Sequence, residues 1–168
     1  MGYRRETRDS ALSGPGYQRM ANPQSGSSIR LRFNSAFEML DLVQVISDQL
    51  GRQLHFDDDA MTWMEVAVRE SVINAIKHGN KYDGNKFVTV EFTTQPALAP
   101  SELIIAIRDQ GEGFDPESLP DPLAPENLLK ASGRGIFFMR SFMDDVTLSR
   151  VPEGGMEVRM VKKLPPQA

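Results

Sequence analysis

Apolar and polar residues alternate from Ser28 to Phe33, with Ile29, Leu31 and Phe33 on one side, which predicts a β-strand. Ser35 and Glu38 have the spacing of a capping box, so a helix is expected to start there. Phe37, Leu40, Val43, Ile46 and Leu50 follow at helical spacing, and Gly51 is expected to end or fray that helix. A second helix is predicted from about Asp59 to His78, burying Met61, Met64, Val68, Val72, Ile73 and Ile76, with Gly79 as its C-terminal cap. The turn formers Asn80, Asp83, Gly84 and Asn85 come next. Lys86–Thr94 and Glu102–Asp109 read as strands, Arg134–Phe142 as a helix, and Asp145–Val151 with Met156–Lys163 as a hairpin around Pro152–Gly155. Residues 115–132 hold Pro116, Pro120, Pro122 and Pro125 with little periodicity, a length and composition expected of a functional lid. Helices segregated from a largely antiparallel sheet predict an α+β two-layer sandwich, its sheet mixed but mostly antiparallel and its helices on one face.

Composition narrows the function more than the fold. The chain has 168 residues, enough for one domain with a real core. Residues 1–27 are rich in Gly, Ser, Pro, Arg and Gln and poor in large apolar residues, so they are expected to be a disordered tail ahead of one domain at 28–164. A net charge of −4 gives no footprint for direct nucleic-acid binding. There are no cysteines and only two histidines, His55 and His78, which excludes disulfides, thiol-ligated metals and a multi-histidine centre. No apolar run reaches the length of a membrane span, and the N-terminus lacks the apolar centre of a secretory signal, so a cytoplasmic location is expected.

Three short segments carry the candidate chemistry. Glu70 and Asn74 are four apart and share a helix face, and Lys77 and His78 extend that polar stripe. A partly buried Glu can act as a general base, because desolvation raises its pKa toward working pH. An Asn carbonyl oxygen is a hard ligand suited to Mg²⁺. Asp109 ends the apolar run Leu103–Ile107, and Gly111 and Gly113 behind it leave room for a flat ligand to approach the backbone. A carboxylate placed there can accept a hydrogen bond from the exocyclic amine of adenine. Ser132, Gly133, Arg134 and Gly135 precede a helix, whose start offers free amides and a positive dipole end to phosphate, with Arg134 adding a charge. Taken singly, each segment has a plain alternative: a solvated helix face, a strand-end turn, and a simple helix entry. His78 is read as a structural residue in a last helical turn, where the dipole favours it.

Taken together, the segments resemble the Bergerat-type ATPase superfamily, which includes DNA gyrase and the sensor histidine kinases. Glu70–Asn74 is similar to its asparagine box, Asp109–Gly113 to its first glycine box, and Gly133–Gly135 to its second. The stretches Glu65–Gly79, Arg108–Pro116 and Gly133–Val146 resemble more closely the anti-sigma-factor serine kinases of bacterial partner switching. The resemblance covers about residues 28–164 and implies the Bergerat-type ATP-binding fold. It implies that Glu70 is the catalytic base, that Asn74 holds Mg²⁺, and that Asp109 binds the adenine amine, with Gly111 and Gly113 lining its pocket. Lys77, Ser132, Gly133, Arg134 and Gly135 would border the nucleotide, and residues 115–132 would form an ATP lid. The implied activity is ATP-dependent serine phosphorylation of a STAS-type anti-anti-sigma protein by a chain that also sequesters a sigma factor, with a homodimer among the possible assemblies. Two alternatives stay open: a nucleotide-binding module that sequesters a partner without catalysis, and a kinase with a non-sigma target. One departure stands out, because the family's usual Gly-Thr at the last strand is Gly155–Met156 here.

Overall fold

The computed structural model describes residues 26–96, 99–115 and 134–166. Among these residues, five strands form one open sheet: β1 (Ser28–Asn34), β2 (Phe87–Gln95), β3 (Glu102–Arg108), β4 (Asp145–Arg150) and β5 (Met156–Lys163), in the order β1-β2-β3-β5-β4. Every pairing is antiparallel, so the expected mixed character does not arise among them. Among the described residues, three α-helices, α1 (Leu40–Gln53), α2 (Asp58–Asn74) and α3 (Arg134–Phe142), cover one face. Among the described residues, no helix is long and apolar enough to cross a membrane.

The sheet is built by strict alternation. Val88, Val90, Phe92 and Thr94 of β2 and Leu103, Ile105 and Ile107 of β3 are buried, while the residues between them are half-buried on the opposite face. The buried set meets Val43 of α1, Met64, Val68 and Val72 of α2, and Met139 of α3, which closes one continuous core. The outer face carries cross-strand polar pairs, including Arg30 with Glu91 and Arg108 with Glu157, while Arg32 lies over the Phe87 ring.

Around α1, three local expectations change. Ser35 does not cap a helix: its hydroxyl donates to the Lys86 carbonyl and accepts from Asn80, and the chain enters α1 through a short 3₁₀ turn at Phe37–Met39. Phe37, counted with the buried stripe, is exposed. Gly51 does not end α1. It is buried where α1 crosses α2, and a Cβ there would sit 3.1 Å from both Met61 Cγ and Met64 Cε. The helix instead ends in a Schellman motif with His55 at φ 61°, where the Phe56 amide donates to the Gly51 carbonyl and the His55 amide to that of Arg52.

α2 is capped by Asp57, whose side chain accepts from the Ala60 amide at 2.7 Å. Its regular α-helix stops at Asn74, four residues before the expected end at His78, and passes into a π-turn over Ala75–Gly79. The Asn80 amide closes that turn on the Ala75 carbonyl at 2.8 Å. Lys81 and Tyr82 then adopt positive φ, reversing the chain toward β2.

Candidate functional site

The carboxyl end of β3 and the far end of α2 converge on Asp109. This residue is buried, and its Oδ1 accepts from the Gly111 amide at 2.8 Å and the Met156 amide at 3.3 Å. No described residue donates to Oδ2. Burial pushes the Asp109 carboxyl above its ordinary value, against the opposing pull of the two amides and of the Lys86 charge.

Three glycines make this packing possible. An added Cβ at Gly79 would lie 2.7 Å from Asp109 Cβ, one at Gly111 would lie 2.7 Å from the Gly79 carbonyl carbon, and one at Gly155 would lie 2.7 Å from the Asp109 carbonyl carbon. None of those distances is compatible with a side chain, so the backbone of α2's end, the Asp109 turn and the start of β5 are in direct contact. Gly113 has φ +70°, which explains the second glycine of the segment. The turn is tethered outside by the exposed Lys81–Glu112 ion pair at 2.9 Å and by Arg150, which donates to the Glu112 carbonyl at 3.1 Å.

Met156, which stands where the family usually has threonine, is buried. Its buried sulfur accepts from the Phe114 amide at 3.4 Å, its amide holds Asp109 Oδ1, and its carbonyl accepts from the Asp109 amide at 3.1 Å. Backbone groups therefore hold the aspartate where a hydroxyl would otherwise contribute.

The second glycine segment meets the helix stripe. A Cβ on Gly135 would lie 3.1 Å from Glu70 Oε2 and 3.4 Å from Asn74 Nδ2, so the first turn of α3 sits over these two side chains. Glu70 and Asn74 are half-buried. Lys77 and His78 are exposed, and they lie in the π-turn, where i+4 spacing no longer keeps residues on one stripe. Ser132, Gly133 and the 116–132 part of the expected lid lie outside the described residues, and of Arg134 only the helical backbone is described. Gly135 thus meets Glu70 and Asn74 of α2, Asp109 and Gly111 meet Gly79 at the end of the π-turn, and Gly113 lies against Arg150, Gly155 and Met156.

Sequence reasoning missed Asn80, which looked like a turn former. It is fully buried, its Oδ1 accepts from the Gln110 amide at 2.7 Å, and its Nδ2 donates to Ser35 Oγ at 2.7 Å and the Phe87 carbonyl at 3.0 Å. Gly79, read as a cap, also matters through its contact with Asp109. Neither partner is within reach of a local pattern, so no sequence signal marked them.

No group of three His, Cys, Asp or Glu among the described residues could hold a metal by itself. A divalent ion at this site would rest on the Asn74 carbonyl oxygen together with water and phosphate oxygens. That donor set suits Mg²⁺, which takes few protein ligands.

The family model for the histidine kinase-like ATPase domain matches residues 33–162. An anti-sigma F factor of Bacillus velezensis is 33% identical over 144 residues, covering 82% of this chain and 93% of that protein. The anti-sigma F factor of Bacillus subtilis is 31% identical, with the same coverage of 82% and 93%. A serine-protein kinase RsbW of Staphylococcus epidermidis is 28% identical, covering 80% of this chain and 85% of that protein. With its fold, its buried aspartate among three glycines and its helix-borne Glu–Asn pair, the chain belongs to the histidine kinase-like ATPase family, in the branch that contains anti-sigma factors and serine-protein kinases.

Proposed function

We propose that this chain is an ATP-dependent protein serine kinase and anti-sigma factor, which phosphorylates a STAS-type anti-anti-sigma protein and holds a sigma factor when that antagonist is phosphorylated. The observation that carries the reading is the arrangement along α2: Glu70 and Asn74 meet the first turn of α3 at Gly135, and the buried Asp109 turn packs on the same helix's end at Gly79. One end of this line suits a nucleobase and the other a triphosphate.

In this reading Asp109 Oδ2 accepts the exocyclic amine of adenine, while Gly111 and Gly113 leave the base room. Asn74 supplies the protein ligand for Mg²⁺, which when bound neutralises phosphate charge. The start of α3, with Gly135, Arg134, Gly133 and Ser132, borders the phosphates. Glu70 takes the proton from the attacking serine hydroxyl. The serine oxygen forms a bond to the γ-phosphorus, the bond from that phosphorus to the β,γ-bridging oxygen breaks, and ADP leaves with that electron pair. Lys77, exposed in the π-turn, is left to border the nucleotide from solvent in this reading. The resemblance of the chain to anti-sigma F factors and RsbW supports both the sigma-factor client and the serine substrate.

The test is transfer of labelled phosphate from ATP to a co-encoded anti-anti-sigma protein. Glu70→Gln should bind ATP nearly as wild type and lose roughly 10²–10⁴ in transfer rate, the scale of a general base. Undiminished transfer by Glu70→Gln removes Glu70 from the chemistry. ATP binding by the wild type without transfer to any co-encoded candidate would favour a sequestering module instead.

A further inference from the structure

Asn80 lies beside the site but belongs to none of the three segments that define it. It follows Gly79, whose carbonyl touches Gly111, and its Oδ1 accepts from the amide of Gln110, the residue after Asp109. Gln110 is held a second time, because its Oε1 accepts from the Phe87 amide at 2.7 Å. Nδ2 of Asn80 reaches the Phe87 carbonyl and Ser35, and its own backbone closes the π-turn of α2 on Ala75. One fully buried amide therefore joins the end of α2, the approach to α1, the start of β2 and the Asp109 turn.

The position of this junction matters for the ligand. Asn74 and Glu70 ride on α2, whereas Asp109 directly follows β3. The two parts are separated by a π-turn, a wider and less regular turn than an α-helix provides. The three close glycine contacts set how near the backbones can approach, but they are non-directional. The Asn80–Gln110 bond is directional, and a buried donor left without its acceptor is costly, so it holds the turn in one register.

We propose that Asn80 is a positioning residue for nucleotide recognition: through the Gln110 amide it fixes the Asp109 turn against α2, so that the base acceptor and the phosphate end are held in one registration. This rests on the reading of Asp109 as the acceptor for the adenine amine.

The experiment compares the affinity of ATP with that of purine riboside triphosphate, which lacks the exocyclic amine, by titration calorimetry on the full chain. Wild type should prefer ATP by roughly tenfold to a hundredfold, the range for a hydrogen bond to a charged group. In Asn80→Ala that preference should fall to within about threefold of unity, on the same scale. Asn80→Asp keeps the Oδ1 acceptor for Gln110 and should retain most of the preference while losing stability through its other oxygen, which faces the Phe87 carbonyl. Ser35→Ala should likewise lose stability alone. A folded Asn80→Ala with the wild-type preference overturns the proposal, as does an equal loss in Ser35→Ala. Should Asn80→Ala not fold, hydrogen exchange of the wild type decides: the Gln110 amide should exchange as slowly as the core of β3, and exchange at the rate of an exposed turn overturns the proposal. A wild type that does not distinguish the two nucleotides refutes the role of Asp109 and not the tether, which the exchange rate still tests.

Discussion

Gly111→Ala is the sharpest local perturbation that the site allows. The added Cβ would lie 2.7 Å from the Gly79 carbonyl carbon and nearer still to its oxygen, where about 3.5–4.0 Å is the comfortable separation of non-bonded carbons. Both obstacles are backbone, so no side chain can rotate away. The Asp109 turn must move from the end of α2 by roughly 1 Å, which is the shortfall between those separations. Overpacking of this kind costs about 1–3 kcal/mol, or roughly 3–10 °C in melting temperature for a chain of this size. Moving the turn also misplaces Asp109, and nucleotide affinity should fall by more than tenfold. Gly84→Ala is the matched control, because nothing lies within 4 Å of its Cβ, and its stability should stay within about 0.5 kcal/mol of wild type. Thermal melts and ATP titration on the two variants provide the assay. A Gly111→Ala protein that melts and binds ATP like Gly84→Ala would refute the claim that backbone contact at Gly79 shapes the site.

Asp109→Asn separates stability from binding. Burial raises the carboxyl's folded pKa, so the folded chain holds this proton more tightly than the unfolded chain. The resulting stabilisation is complete below the unfolded value and is lost as pH rises through the folded one, which leaves the ionised group a net cost at neutral pH. Asp109→Asn should therefore melt higher than wild type at pH 7, with the difference shrinking toward pH 4, while ATP affinity drops; a melting difference that is constant from pH 4 to 8 would contradict the sign. Trp63, the single tryptophan, stacks on Phe142 of α3 at 3.6 Å with the rings 4° apart. Phe142→Ala should cost roughly 1–3 kcal/mol through lost burial and stacking and shift the tryptophan emission to the red, whereas an unchanged spectrum would place the ring contact elsewhere.

Elements whose buried residues repeat locally were legible. The second half of α2, β3, α3 and the β4–β5 hairpin follow directly from periodicity and turn chemistry, with Glu70 and Asn74 on α2 and Asp109 directly after β3. What stayed hidden depends on partners far along the chain. Ser35 has the spacing of a cap, yet its hydroxyl is engaged by Lys86 and Asn80. Gly51 resembles a helix stop but serves a helix crossing, and the true reversal falls on His55, at a positive φ that non-glycine residues adopt uncommonly. The π-turn leaves no signature in Ala75–Gly79, so the stripe counted through Lys77 and His78 ends at Asn74. Asn80 and Gly79 gain their roles only when β3 arrives beside them.

The central claim is that this constellation binds ATP with Mg²⁺, and calorimetric titration of the wild-type chain with ATP and Mg²⁺ tests it most directly. The account predicts saturable binding with a dissociation constant between about 1 μM and 1 mM, on the order of −8 to −4 kcal/mol, weakened when Mg²⁺ is withheld or Asn74 is replaced by alanine. A folded protein that gives no binding heat with ATP or ADP at millimolar nucleotide would contradict it.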